Sequence, residues 1–464
     1  MRKLIALVAA TLFVAQATAA TPDEVAFRAL YKELIETNTS LSVGSCTLAA
    51  RRMAARLRKA GFPKRDLIFV PAPGHPKEGS LVALYPGRDR QTKAILLLAH
   101  IDVVEAKRAD WTRDPFKLVE EDGYLYARGA IDDKAQASIW IDTFIRLKKE
   151  RFKPRRTLKL ALTCGEETSG AFNGAEYLSK NKRDLIDAAF ALNEGAGGRL
   201  DEQGRQVVLT IQVGEKLPQN YTIEVTNPGG HSSRPVKENA IYRLADALVK
   251  LRAYDFPIQM NEVTRGYFRA IAGPTGGDVG AAMTKIADDP TDEDAANIVA
   301  AANPAWNGVL RTTCVATMAS AGHATNALPQ RATANVNCRI YPGTTAGDIR
   351  NALIKVIGDD KITVTTLPSR NEPVTPPALT DNVLGPAREV AAEVFPGVPF
   401  VPQLAAGATD GAFTTPAGIP TYGLTGMFSD PDGSGVHGLN ERVRIKSLMD
   451  ARRFLYTLVR KYTE

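Results

Sequence analysis

Several classes of protein are excluded by what this sequence has little of. Cysteine is scarce: Cys46, Cys164, Cys314 and Cys338 are the only four in 464 residues. That is too few for a disulfide scaffold, and without a Cys-x-x-Cys spacing a thiolate zinc site is disfavoured. The net charge is a mild +7 and basic clusters such as 151–156 are short, so no nucleic-acid partner is expected. Beyond residue 20 no segment stays apolar over the roughly 20 residues needed to span a bilayer. Internal repeats and low-complexity tracts are absent. Histidine is rare, five in the whole chain.

The first 20 residues read as a secretory signal. Arg2 and Lys3 form the charged start, Leu4–Ala15 the apolar run, and Ala17-Thr18-Ala19 the small-residue cleavage pattern, with the cut expected near Ala19 or Ala20. A mature protein that is periplasmic or secreted follows, with no membrane attachment after cleavage. The remaining length is too great for one ordinary core, and predicts two domains. A hydrophobic content of 44% and a charged content of 23% describe a globular chain.

What is present is a repeated pattern of buried strands ending in polar residues. Thr21–Ala60 reads as helices stopped by Gly61, and Ser80–Tyr85 as a short strand. Ala94–Ala99 is a continuous apolar run of the kind that suits a strand covered on both faces, and it stops at His100-Ile101-Asp102. Thr157–Thr163 stops at Cys164-Gly165-Glu166-Glu167, Ala188–Leu192 at Asn193-Glu194-Gly195, and Pro420–Leu424 precedes a glycine-rich loop carrying His437. A helix with Ala137, Ile141, Phe144 and Ile145 on one face follows Gly129-Ala130-Ile131-Asp132-Asp133-Lys134. In open α/β sheets ligands bind beyond the carboxyl ends of the strands, which is where these residues fall. The expected fold class is α/β with a mostly parallel central sheet.

A second unit begins near Lys216. Tyr221, Ile223 and Val225 alternate as one strand face, Ile241–Leu251 is an amphipathic helix, and 273–304 reads as loops and short helices. Two further alternating strands carry Cys314 and Cys338, an arrangement that allows a bridge between them, and the second strand turns Asn335, Asn337 and Arg339 to the opposite face. This predicts an inserted α+β domain over 216–370, between catalytic segments 21–215 and 371–464.

Imidazole with carboxylate suits zinc. His100, Asp132, Glu167, Glu194 and His437 can hold two divalent ions about 3.5–4 Å apart if one carboxylate bridges them. Asp102, two residues from His100, fits a carboxylate that fixes the imidazole tautomer. Glu166 and Glu167 diverge from one strand end, so one can bind metal while Glu166 serves as general base.

With these motifs in order along nearly the whole mature chain, the sequence resembles the aminoacylase, carboxypeptidase G and succinyl-diaminopimelate desuccinylase family of co-catalytic zinc hydrolases. The matching segments are His100–Asp102, Ala127–Lys134, Gly165–Gly170, Asn193–Gly195 and His437–Glu441. Trp111–Phe116 looks closest to the secreted or vacuolar carboxypeptidase branch. The resemblance implies a zinc-exopeptidase-type catalytic domain with a lid that also dimerises. It implies one zinc on His100, Asp132 and Glu194, and a second on Asp132, Glu167 and His437. It also implies that His231 is delivered on lid closure to the tetrahedral intermediate, in dimeric relatives into the partner's site, and that Asn326 and Arg339 grip a substrate carboxylate. Ala135 and Ala412 depart from many relatives, which carry glycine and arginine there. The activity so implied is hydrolysis of an amide bond in short peptides or N-acyl amino acids with a free carboxylate. An aminoacylase rather than a peptidase, or a non-catalytic binder of peptide or metal, are the alternatives; Glu166, which binding alone would not require, weighs against the binder.

Overall fold

The computed structural model describes residues 21–168, 172–369 and 374–464. The signal read at 1–20 lies outside the described residues, as do Ser169 and Gly170 of the Gly165–Gly170 motif. No helix among the described residues is long and apolar enough to cross a membrane.

The apolar runs build a sheet of ten strands. Its centre is parallel: Leu158–Thr163, Ile95–His100, Phe190–Asn193 and Thr421–Gly423 lie side by side in that order. Every residue of Ile95–His100 is buried, as its unbroken apolar run requires. Antiparallel pairs enter at the flanks. Leu67–Val70 pairs with Ser80–Tyr85, and Gly198–Leu200 with Gln206–Glu215. The links within these two pairs are too short for the crossover that a parallel pair needs, so the sheet is mixed overall and parallel where the polar strand ends converge.

Helices cover both faces. Pro22–Ile35 starts with a capping box between Thr21 and Glu24 and a proline in its first turn, a combination that satisfies orphan amides at low conformational cost. Lys134–Lys149 is buried along its first ten residues; Ala137, Ile141 and Phe144 lie in the main core, and Trp140 Nε1 donates to Leu98 O at 3.1 Å. This fixes the start of the helix against the strand that ends in His100.

The inserted sheet has four antiparallel strands in the order Thr313–Ala321, Arg331–Ile340, Leu217–Thr226, Ile362–Thr366. Tyr221, Ile223 and Val225 with Ala334, Val336, Cys338 and Ile340 form a separate core beneath helices Ala240–Arg252 and Ala346–Ile357. Cys314 stands opposite Cys338 in register, and the two are bonded. A second disulfide joins Cys46 to Cys164 across 118 residues of chain. Nothing in the spacing announces it.

The stretch read as loops and short helices is helical almost throughout: Glu262–Thr275, Gly277–Asp288, Glu293–Ala302 and Pro304–Leu310. Its alanines are the strongest helix formers, and Asn261, Asp292 and Asn303 act as N-caps, not as loop residues. These helices form a further apolar cluster that includes Val208 and Val401 of the main sheet. Lys216 Nζ, fully buried, donates to Gly308 O at 2.9 Å and Arg311 O at 2.7 Å, tying the entry of the inserted sheet to the end of the helical cluster.

Candidate active site and metal centre

Five polar segments, carrying His100, Asp132, Glu166 with Glu167, Glu194 and His437, meet at the carboxyl end of the parallel strands. His100 closes Ile95–His100. Glu166 and Glu167 follow Leu158–Thr163 after Gly165, which has φ +95°; a Cβ there would lie 1.8 Å from Phe172 O, so only glycine makes this turn. Glu194 follows Phe190–Asn193. Asp132 precedes the helix Lys134–Lys149, across a cis peptide from Asp133.

The geometry divides the two oxygens of Asp132. Oδ1 lies 3.0 Å from His100 Nε2, and that same nitrogen is 3.5 Å from Glu194 Oε2. Oδ2 lies 3.2 Å from His437 Nε2, which is 2.8 Å from Glu167 Oε2. Two triads, His100–Asp132–Glu194 and His437–Asp132–Glu167, therefore share one carboxylate. Donor atoms of His100, Asp132 and Glu167 all fall within 4.8 Å of one another, and so do those of His100, Glu166 and Glu194.

The electrostatics call for positive charge. The Asp132 carboxyl, although burial opposes it, is held well below its ordinary range by the two imidazoles. Hydrogen bonds that His437 donates to the carboxylates of Asp132 and Glu167 raise it to about 10. Burial lifts Glu194 to about 7 against the pull of His100. Burial and then the charge of Glu194 push Glu166 well above the usual carboxylate range. A cluster that draws protons onto its imidazoles in this way is built for cations, which would displace those protons. One imidazole and two carboxylates per triad fit divalent ions such as zinc.

Asp102 meets His100 with its carboxylate and with its backbone. Its Oδ1 is 3.6 Å from His100 Nδ1, within ion-pair distance, and the same ring nitrogen faces the Asp102 backbone carbonyl at 3.2 Å. The other oxygen, Oδ2, accepts from Glu167 N at 3.0 Å. Asp102 thus orients both His100 and Glu167.

Glu441 closes the His437–Glu441 motif, which gives it no role from sequence. It is buried, and it organises the bridging loop. Its carboxylate accepts from Arg128 Nη1 at 2.8 Å, Gly129 N at 3.0 Å, Ile131 N at 3.0 Å and Asp132 N at 3.2 Å. Gly129 has φ +79°, and a Cβ there would strike Val103 at 2.7 Å. A second unassigned acid, Asp410, is buried near enough for its charge to act on Glu166, and accepts from Thr163 Oγ1 at 2.7 Å and Asn173 Nδ2 at 2.8 Å.

The three residues expected at the substrate lie apart. His231 and Asn326 are exposed on the ribbon formed by Gly230–His231 and Ala327–Leu328, where His231 Nδ1 is 2.8 Å from Ser233 Oγ and Asn326 O accepts from Ser232 N at 3.0 Å. Arg339 is half-buried on the inserted sheet. Among the described residues no hydrogen bond or ion pair joins any of the three to the metal-competent cluster, and Arg339 has no carboxylate partner.

The model of peptidase family M20/M25/M40 matches residues 96–461. The chain belongs to this family. It is a hydrolase that acts on amide bonds. The M20 chain is 29% identical over 382 residues to the N-fatty-acyl-amino acid synthase/hydrolase PM20D1 of Homo sapiens, covering 80% of this chain and 75% of that protein. It is 28% identical over 389 residues to the probable carboxypeptidase S-like 2 of Dictyostelium discoideum, covering 82% and 74%. Among solved structures, the M20 family metallo-carboxypeptidase Sso-CP2 from Sulfolobus solfataricus superposes with a TM-score of 0.67 at 20% identity, over 94% of this chain and 99% of that one. The catalytic-plus-lid architecture of the M20 chain is therefore the fold of the family.

Proposed function

We propose that this M20 chain is a two-metal hydrolase of short peptides or N-acyl amino acids bearing a free carboxylate. The observation that carries the reading is the division of the Asp132 oxygens between His100 with Glu194 and His437 with Glu167. Two divalent ions there, zinc by the donor chemistry, would acidify a water and polarise the substrate carbonyl. Glu166 takes the proton from the attacking water and returns it to the leaving nitrogen. The half-buried guanidinium of Arg339, unpaired among the described residues, receives the substrate carboxylate together with Asn326. The names of the relatives, one acting on fatty-acyl amino acids and one carboxypeptidase-like, support both arms of this substrate class.

Hydrolysis of a panel tests the reading: dipeptides with free carboxyl ends, the same peptides amidated, and N-acyl amino acids, each with chelator and with zinc restored. The expected result is cleavage confined to free carboxylates, abolished by chelator and recovered with zinc. Cleavage indifferent to chelator overturns the metal assignment, and cleavage of amidated peptides overturns the Arg339 clamp.

The chain works as a homodimer in this proposal. Its edge strand Thr313–Ala321 leaves Val315 62% and Met318 71% exposed, beside Tyr242 at 58% and Val249 at 53% on the neighbouring helix; an uncovered edge of this kind invites pairing with a second copy. His231 then acts as an oxyanion donor across the dimer. His231→Ala should lower kcat without loss of metal. Mixed dimers of His231→Ala with Glu166→Gln should recover activity that neither homodimer has; no recovery removes the cross-subunit role. Export by the N-terminal signal to the periplasm or medium completes the proposal, and two disulfides suit an oxidising compartment.

A further inference from the structure

A cavity of about 370 Å³ opens directly off the metal-competent cluster, with Asp132 and Glu194 in its wall. That volume is within the range of small-molecule sites, roughly 300–1,000 Å³. It runs between the main sheet and the helical cluster, where Val208, Tyr267 and Met427 supply an apolar lining. No residue of the four-stranded inserted sheet contributes to it. Arg339, the proposed receptor for the substrate's free carboxylate, belongs to that inserted sheet, so the cavity is built by other elements than the clamp.

The cavity also contains Arg199, from the short strand Gly198–Leu200. Its guanidinium is half-buried and rests above the Trp306 ring, 5.8 Å from the centroid. Among the described residues it makes no salt bridge and no side-chain hydrogen bond. Charged side chains withdrawn from water are normally paired, and a guanidinium stacked on an aromatic face keeps its fork of donors free for a carboxylate. Nothing in the catalytic scheme above uses it.

We propose that this cavity is the acyl-side specificity pocket and that Arg199 selects substrates carrying a carboxylate on the acyl side of the scissile amide. The preferred substrate is then dianionic, with one carboxylate on Arg339 and the other on Arg199. Two sources have that chemistry: an amino acid acylated by a dicarboxylic acid, and a peptide with an acidic residue before the cleaved bond. The inference rests on the hydrolase reading for which side is which, and on the geometry of the cavity for the selection itself.

The test measures binding separately from turnover. Metal-loaded Glu166→Gln protein is titrated with two matched pairs, N-glutarylglycine against N-pentanoylglycine and L-glutamylglycine against L-glutaminylglycine. The expected result is that the anionic member of at least one pair binds about 10- to 100-fold more tightly, the worth of a charge-assisted contact; the pair that shows it identifies the source. In Glu166→Gln/Arg199→Gln the ratio should fall towards one, and Arg199→Lys should restore part of it. Equal affinity within both pairs overturns the proposal, and so does a preference that survives loss of Arg199. The same compounds are then offered to the unmodified enzyme. Absence of hydrolysis alongside an Arg199-dependent preference would count against the catalytic reading and leave the selective pocket standing.

Discussion

Glu166→Gln should lower kcat by about two to four orders of magnitude while the protein still binds two metal ions per chain. The separation of these two readouts follows from how the strand end is built. Glu167, not Glu166, lies 2.8 Å from His437 and is fixed by the hydrogen bond from its own amide to Asp102. Glu166 stands on the other side, within a cluster with His100 and Glu194. Burial and the charge of Glu194 raise its proton affinity, and bound cations would oppose that rise. Glutamine keeps the shape and the hydrogen-bonding capacity but carries no exchangeable acid proton. Metal content measured by atomic emission, and single-turnover kinetics on the best panel substrate, check the prediction. Loss of an ion in Glu166→Gln would make Glu166 a ligand, and full turnover would remove it from the mechanism. Glu167→Gln is the contrast: it should lose the ion shared with His437 and Asp132.

Much of this site could be read before any coordinates because its residues sit next to their own signals. His100, Glu166, Glu167 and Glu194 each follow an apolar run within a few positions, and a buried parallel strand must deliver whatever follows it to the same edge. Local adjacency was enough. It failed where the deciding contact is remote in the chain. Cys46 meets Cys164 across 118 residues, and no periodicity encodes that pairing. The Asp102 carboxylate also accepts from the Glu167 amide, 65 residues on, a contact that its spacing to His100 does not announce. The helices between 262 and 310 are hard to read from sequence because their Asn and Asp caps, glycines and small residues resemble loop composition. Arg199 lies in a strand of three residues, too short for any pattern to show what it faces.

Glu441→Ala should destabilise the fold by about 3–5 kcal/mol and weaken both metal sites together. Removal of the carboxylate leaves the Arg128 guanidinium buried with Gly438 O, 2.8 Å from Nη2, and the nearby Trp111 ring, neither of which neutralises its charge. It also leaves the amides of Gly129, Ile131 and Asp132 without their acceptor. Those three amides set the path of the loop into Asp132, and Asp132 is the one residue common to both triads. A shift of that carboxylate cannot be confined to one ion. His437→Ala, by contrast, should release one ion and leave the site on His100 and Glu194 occupied. Supporting groups around metal ligands typically contribute 10- to 100-fold in affinity, so zinc competition titrations should show both dissociation constants rising by about that factor in Glu441→Ala. Glu441→Gln, which retains one acceptor oxygen, should fall between. The two effects are separable by adding zinc during chemical denaturation. If excess zinc restores ion binding but not the denaturation midpoint, the loop amides and the Arg128 charge are independent functions of one buried carboxylate. If the variant binds two ions with unchanged affinity, Asp132 is held by its own helix and Glu441 serves only the fold.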